Sequence, residues 1–279
     1  HFGDSVAMGL KGHVVKIDFE EGYTNWRSEV HTPRTLIDAG IVKKATEKKI
    51  VALIKKFAKK ADLVTIATDY DREGELIGKE AYEIVRSANR DVTVNRAIFS
   101  AITKPEIAAA FENPTTVDFD LAAAGEARQE IDLVWGASLT RFISIAAKRG
   151  GNNILSVGRV QSPTLGMIVD REKEIEAFVP TPYWMLSVMS EKAGEPFEAR
   201  HTTGKFWDKA EAKTAEANTK APLTVTDVKE GVRSDSAPSP FDTTGYIVAA
   251  GRLGLSASNA MRIAEELYMN GFISYPRTD

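Results

Sequence analysis

Cysteine is absent from the 279 residues. That excludes disulfide staples and thiolate-ligated zinc ribbons within them, and it accords with a reducing compartment. No apolar run approaches the roughly 20 residues that a membrane-spanning helix needs, and no leader-like pattern opens the chain. A cytoplasmic protein with no membrane partner is expected. The phosphate-binding pattern G-x-x-x-x-G-K-[ST] is missing, so no ATP-driven step is expected of these residues. A large excess of one charge is missing too. The 36 Lys and Arg face 39 Asp and Glu, for a net charge of −3, which argues against a surface wholly coated by nucleic acid.

What is present is globular. The chain is 43% hydrophobic and 27% charged, enough to bury a sizeable core, and its length calls for two or three domains. Charge is unevenly placed. From Leu133 to Val169 there is no acidic residue, whereas Arg141, Lys148, Arg149 and Arg159 are basic. A local basic surface is what phosphate contact requires, and an ordinary solvated face has the same composition.

Gly12 to Phe19 reads as a strand, and Lys43 to Lys60 as an amphipathic helix with Ile50, Leu53, Ile54 and Phe57 on its apolar face. Leu63 to Thr68 is the short apolar run of a buried strand. An acidic stretch follows, then a helix over Leu76 to Arg86 and a strand over Val92 to Phe99. This order predicts an α/β layer with a largely parallel sheet, in which ligands gather at the carboxyl ends of strands. Thr103 and Pro105 mark a helix start. Leu121 to Ala147 is strongly helical, and Ser162 is read as the cap of a further helix. Tyr183 to Ser190, Pro196 to His201 and Leu223 to Val232 read as antiparallel strands. Ser234 to Pro240 is a linker. Helices over Thr243 to Gly251 and Ser256 to Met269 close the chain, with Ser256 as N-cap and Gly271 as stop.

Three segments carry chemistry. The first is Asp69-Tyr70-Asp71-Arg72-Glu73-Gly74-Glu75, with four carboxylates at alternate positions. A loop leaving a strand can aim several of them into one space, where their repulsion is offset by a hard divalent cation such as Mg²⁺. Acids at a helix N-terminus, favoured by the helix dipole, would account for one or two of them. The second is Gly271-Phe272-Ile273-Ser274-Tyr275-Pro276-Arg277-Thr278-Asp279. A phenolate is a competent nucleophile at phosphorus, and Arg277 is placed to hold phosphoryl oxygens. A Tyr-Pro pair after a helix stop is also an ordinary turn. The third comprises Glu126 to Gly136 and Leu155 to Thr164. Gly158 permits close backbone approach, and Arg159 and Gln161 point the same way if the segment is extended. A helix begun at Ser162 would offer its N-terminus to a phosphate.

The DxDxEGE pattern after an apolar strand resembles the Toprim module of type IA DNA topoisomerases, and GFISYPRTD after ASNAMRIAEELYMN is similar to that family's active-site segment. The two motifs stand about 200 residues apart in the family's order. The resemblance implies that Asp69, Asp71 and Glu73 hold Mg²⁺, with Glu73 also catalytic. It implies that Tyr275 attacks the scissile phosphate to become 5′-phosphotyrosyl, and that Arg277 stabilises that phosphate. It implies further that Arg128, Arg159 and Gln161 contact DNA, and Gly158 and Ser162, read from backbone approach and the helix N-terminus, complete the expected DNA-binding set. Leu133, where many bacterial members have a basic residue, and WGASLTRF look more like the archaeal topoisomerase I and reverse gyrase branch.

The expected fold is α/β plus α and β. It comprises a Toprim-like α/β metal-binding domain over 1–115, a helical single-strand DNA-binding domain over 116–180, an antiparallel β gate segment over 181–236, and the start of the tyrosine-bearing helical domain over 237–279. The chain is expected to be a piece of a longer protein, lacking the first Toprim strand and that strand's catalytic glutamate. The implied protein is a monomeric, nucleoid-associated enzyme that relaxes negatively supercoiled DNA by Mg²⁺-dependent, ATP-independent single-strand cleavage, passage and religation. A Toprim nuclease or primase would use the acidic cluster without Tyr275. A non-catalytic fragment would only bind single-stranded DNA.

Overall fold

A computed structural model describes residues 5–23 and 33–277, which leaves Thr278 and Asp279 of the tyrosine segment outside the described residues. The chain divides into two compact units, 1–163 with 239–279, and 164–238.

In the first unit, β1 (Val15–Phe19) pairs antiparallel with β2 (Ile41–Ala45), Ile17 opposite Lys43. The helix expected from Lys43 therefore starts later, because Lys43 to Ala45 are taken up by that ladder. Helix α1 is Lys48–Ala58. Its apolar face is rotated from the expected one. Ile54 and Ala58 are buried and Ile50 and Val51 pack beside them, while Leu53 and Phe57 stay exposed. Strand β3 (Leu63–Ile66) pairs parallel with β4 (Thr93–Arg96), so the expected parallel sheet is present as one pair of strands. Helix α2 (Arg72–Ala88) connects them, and its Ile84 and Val85 share a core with Val14, Ile54, Ala58 and Val92.

Two helices follow, α3 (Lys104–Glu112) and the 28-residue α4 (Phe119–Ala146). Thr103 precedes α3 without a side-chain cap bond, whereas Asp118 caps α4 through the amides of Asp120 and Leu121. Later in the same unit, α7 (Thr243–Arg252) and α8 (Ala257–Met269) are capped by Asp242 and Ser256.

Helix α5 (Gln161–Ala177) runs into the second unit. There β5 (Ser187–Lys192) and β6 (Glu195–Arg200) form an antiparallel hairpin, closed at Ala193 and Gly194, both with positive φ. Helix α6 (Lys209–Asn218) starts from an Asp208 cap. The strand expected over Leu223 to Val232 does not form among the described residues. Its β-branched residues have no ladder to join, and Val225, Val228 and Val232 are exposed.

The polar centre of the first unit is a buried ion pair. Arg96, ending β4, is 0% exposed, and Glu75 in the first turn of α2 is 1% exposed. Arg96 Nε donates to Glu75 Oε2 at 2.9 Å, and its other nitrogens reach the carbonyls of Ala97 and Asp69. Glu75 Oε1 accepts the Asp118 amide at 2.8 Å, at the entry to α4. Arg96→Met should cost about 3–5 kcal/mol by stranding a buried carboxylate, and Glu75→Leu combined with it should cost less than the sum of the two single changes. Urea unfolding midpoints measure both.

Candidate active site

Seven residues, Ala97 to Thr103, follow β4 and separate it from the start of α3. Glu106 Oε1 accepts the amides of Ser100 and Ala101 and the Ser100 hydroxyl, which pins this loop to α3. The pinned loop is the platform for the tyrosine segment. Gly271 leaves α8 in the left-handed region, φ +74°, and a Cβ there would lie 2.6 Å from the Ile102 carbonyl oxygen. Only glycine meets both demands. Four residues on, the Tyr275 amide donates to the Ser100 carbonyl at 2.7 Å. From the other side, Thr243 Oγ1 donates to the Pro276 carbonyl at 2.8 Å.

These anchors bring Tyr275 to the acidic loop. Tyr275 Oη donates to Asp71 Oδ2 at 2.8 Å. Asp71 is at the same time the N-cap of α2, its Oδ1 accepting the Gly74 amide at 2.7 Å. Gly74 lies against the loop that follows β3, where a Cβ would stand 2.1 Å from the Asp69 carbonyl oxygen. That contact is the physical content of the glycine between Glu73 and Glu75. Burial pushes the Tyr275 phenol far above its ordinary value, and the Asp71 hydrogen bond and the charges of Asp71 and Asp69 add to this. Asp69 is itself raised, by burial first and by Asp71 second.

The four carboxylates do not converge on one space. Helix α2 begins at Arg72, so Glu73 and Glu75 are helical and lie on different faces. Glu75 serves the buried pair with Arg96. Glu73 accepts from Arg128 Nη1 at 2.9 Å and faces His13 Nε2 at 3.2 Å. His13 also meets Glu80 at 2.8 Å, and that hydrogen bond is the largest cause of its raised pKa. Among the described residues, no three acidic or imidazole groups are gathered as a metal cage. Asp69 and Asp71 remain, adjacent and mutually repelling. A pair of carboxylates completed by water and phosphate oxygens is the usual donor set for Mg²⁺, so these two fit the ion.

Arg277 pairs with Glu265 of α8 at 3.4 Å, and its charge partly offsets the upward shifts of Asp69 and Tyr275. Arg128 lies on α4 beside Glu73, whereas Arg159 meets Asp132 at 2.7 Å. Arg159 and Gln161 are not on an extended segment. Gln161 begins α5 and donates to the Ser156 hydroxyl. Ser162 lies inside α5, and its hydroxyl accepts the Gly158 amide at 3.3 Å instead of capping the helix. Of the basic residues in the acid-free stretch, Arg141 is buried and donates to the Tyr23 carbonyl, so its charge is not on the surface.

Sequence reasoning passed over several residues here. Thr140 and Ser144, one turn apart on α4, bond the backbone of Val157 and Leu155 through their hydroxyls and so hold the 155–157 segment. Their i, i+4 spacing was the available signal. His13 and Arg96 gave none, because each acts through a carboxylate at least twenty residues away.

Residues 116–279 match the family model for DNA topoisomerase, and residues 2–102 match that for the Toprim domain. The chain is 48% identical over 277 residues to DNA topoisomerase 1 of Archaeoglobus fulgidus, an alignment covering 99% of this chain and 40% of the relative. It is 43% identical over 278 residues to DNA topoisomerase 1 of Thermoplasma acidophilum, covering 97% of this chain and 34% of the relative. The solved structure of full-length topoisomerase I from Thermotoga maritima is similar at a TM-score of 0.68 and 31% identity, covering 96% of this chain and 45% of that one. This chain thus spans less than half the length of these relatives.

Asp71→Asn tests the electrostatics of the site. Asparagine caps a helix about as well as aspartate, so stability should stay within about 1 kcal/mol. Removing the charge should lower the titration midpoint of the Tyr275 phenol, read as the near-ultraviolet absorbance change lost in Tyr275→Phe. An unchanged midpoint contradicts the assigned contact.

Proposed function

The chain belongs to the type IA DNA topoisomerase family, and on that premise we propose that it carries the cleavage–religation centre of such an enzyme, with Tyr275 as nucleophile. The observation that supports this reading is the 2.8 Å bond from Tyr275 Oη to Asp71, across 204 residues of sequence. It joins the two motifs at one point.

In the proposed step, Tyr275 Oη attacks the phosphorus of a single DNA strand. The Oη–P bond forms as the P–O3′ bond breaks, leaving a 5′-phosphotyrosyl linkage. The phenol proton passes to the Asp71 carboxylate, which releases it to solvent, and the departing 3′ oxygen takes one proton from solvent, so no proton is gained or lost overall. The reverse transfer reseals the strand with the bond energy conserved, so ATP is not consumed. Buried and raised in pKa, Tyr275 is a protonated phenol at rest, so it needs an acceptor in contact; Asp71 is that acceptor.

Arg277, one residue beyond Pro276, is placed to leave Glu265 for the phosphoryl oxygens as charge builds there. Asp69 and Asp71, with Glu73 once released from Arg128, are the residues that would hold Mg²⁺. The ion supplies charge neutralisation at the phosphate. Arg128, Gly158, Arg159, Gln161 and Ser162 line the path proposed for single-stranded DNA, with residues 116–180 as the DNA-binding helical part and 181–236 as the gate. The substrate is negatively supercoiled DNA, and the enzyme acts as a monomer in the nucleoid. Among the described residues no helix is long and apolar enough to cross a membrane.

The full-length protein should form a covalent DNA adduct with a single-stranded oligonucleotide, trapped by denaturant and labelled on the 3′ fragment. Tyr275→Phe should abolish the adduct and leave DNA affinity within about twofold, since only the phenol oxygen is lost. Divalent-metal-dependent cleavage that survives Tyr275→Phe would point to a Toprim nuclease and overturn the proposal.

A further inference from the structure

We propose that Tyr268 is a positioning residue for Tyr275, its buried ring setting the direction in which the nucleophile's phenol points. The inference rests on the assignment of Tyr275 made above.

Tyr268 lies in the last turn of α8 and is 3% exposed. Its carbonyl accepts the Gly271 amide at 2.8 Å, so the turn that delivers Tyr275 starts from Tyr268 itself. The backbone of the tyrosine segment is then fixed at Ser100 and Thr243. Those anchors fix where the Tyr275 side chain begins and leave its two side-chain torsions open. The hydroxyl end is held by Asp71. The ring is held by Tyr268, whose own ring meets it at 5.3 Å between centroids and 65° between planes. This edge-to-face geometry favours one orientation over a rotated one, because the ring edge of one partner is positive where the face of the other is negative.

The other end of Tyr268 completes the arrangement. Its hydroxyl donates to Asp69 Oδ1 at 3.4 Å, so the two tyrosines engage the two aspartates in parallel, Tyr268 with Asp69 and Tyr275 with Asp71. The bond to Asp69 is long, which assigns the main role to the ring.

The experiment uses the full-length protein and a single-stranded oligonucleotide. Tyr268→Leu and Tyr268→Met remove the ring but fill its place with apolar volume. Both should slow single-turnover adduct formation by about 10- to 100-fold, the scale of a misdirected attacking group, while the DNA dissociation constant stays within about twofold. Tyr268→Phe keeps the ring and should recover the rate to within about threefold. A 3-fluorotyrosine at position 275 should give one sharp ¹⁹F resonance in the parent and in Tyr268→Phe, and a broadened or shifted one in Tyr268→Leu, a readout independent of turnover. A Phe variant as slow as the Leu variant, or Leu and Met variants that cleave at the parent rate, would overturn the inference. A parent protein that forms no Tyr275-dependent adduct removes the nucleophile assignment instead, a separate and distinguishable failure.

Discussion

Arg96 and Glu75 share a charge-assisted bond that water does not reach, and each remaining polar atom of the pair holds a different piece of the first unit. Arg96 ends β4 and grips the Asp69 carbonyl in the loop that follows β3. Glu75 starts α2 and takes the amide that opens α4. Two strands, the acidic loop and the DNA-proposed helix are thereby referred to one buried point. Such a pair contributes little net stability against an apolar substitute. Its value here is directional: the Asp69 carbonyl can sit only where the guanidinium accepts it, and Gly74 removes the one side chain that would collide with it.

That arrangement explains a division within the acidic motif. Alternation of acids along an extended loop would place all four on the same side. Helical geometry instead rotates successive residues by about 100°, so once α2 begins at Arg72, Glu73 and Glu75 diverge. Asp69 and Asp71 precede the helix and remain beside each other. Glu73 and Glu75 therefore stand at the helix start, where the dipole favours acids, and the two aspartates stay together in the loop between β3 and α2.

Legibility in the sequence followed the range of the forces involved. Helices with their own caps were readable, as at Ser256 to Asn259 and along α4, because the information is local. The parallel β3–β4 pair was readable from a short apolar run between helical stretches. Lys43 to Ala45 and Leu223 to Val232 were misread for one reason: a strand exists only where a partner strand stands beside it. Ile41–Ala45 has β1, and the Val-rich segment has none among the described residues. The motif residues Tyr275 and Asp71 were legible by type and by family resemblance. Their contact was not, since it is made by Gly271, Ser100 and Glu106 acting in series, and none of those residues is chemically conspicuous.

Charge pairing gives the site its resting character. Arg128 sits on Glu73, Arg159 on Asp132 and Arg277 on Glu265. Each basic side chain proposed to meet a phosphate therefore begins on a carboxylate. A phosphate that displaces a partly exposed carboxylate exchanges one ion pair for another, so the net gain per contact is smaller than for an unpaired cation. The consequence is selective. Exchange at one arginine alone would gain little, whereas exchange at all three would release Glu73, Asp132 and Glu265 from their arginines together.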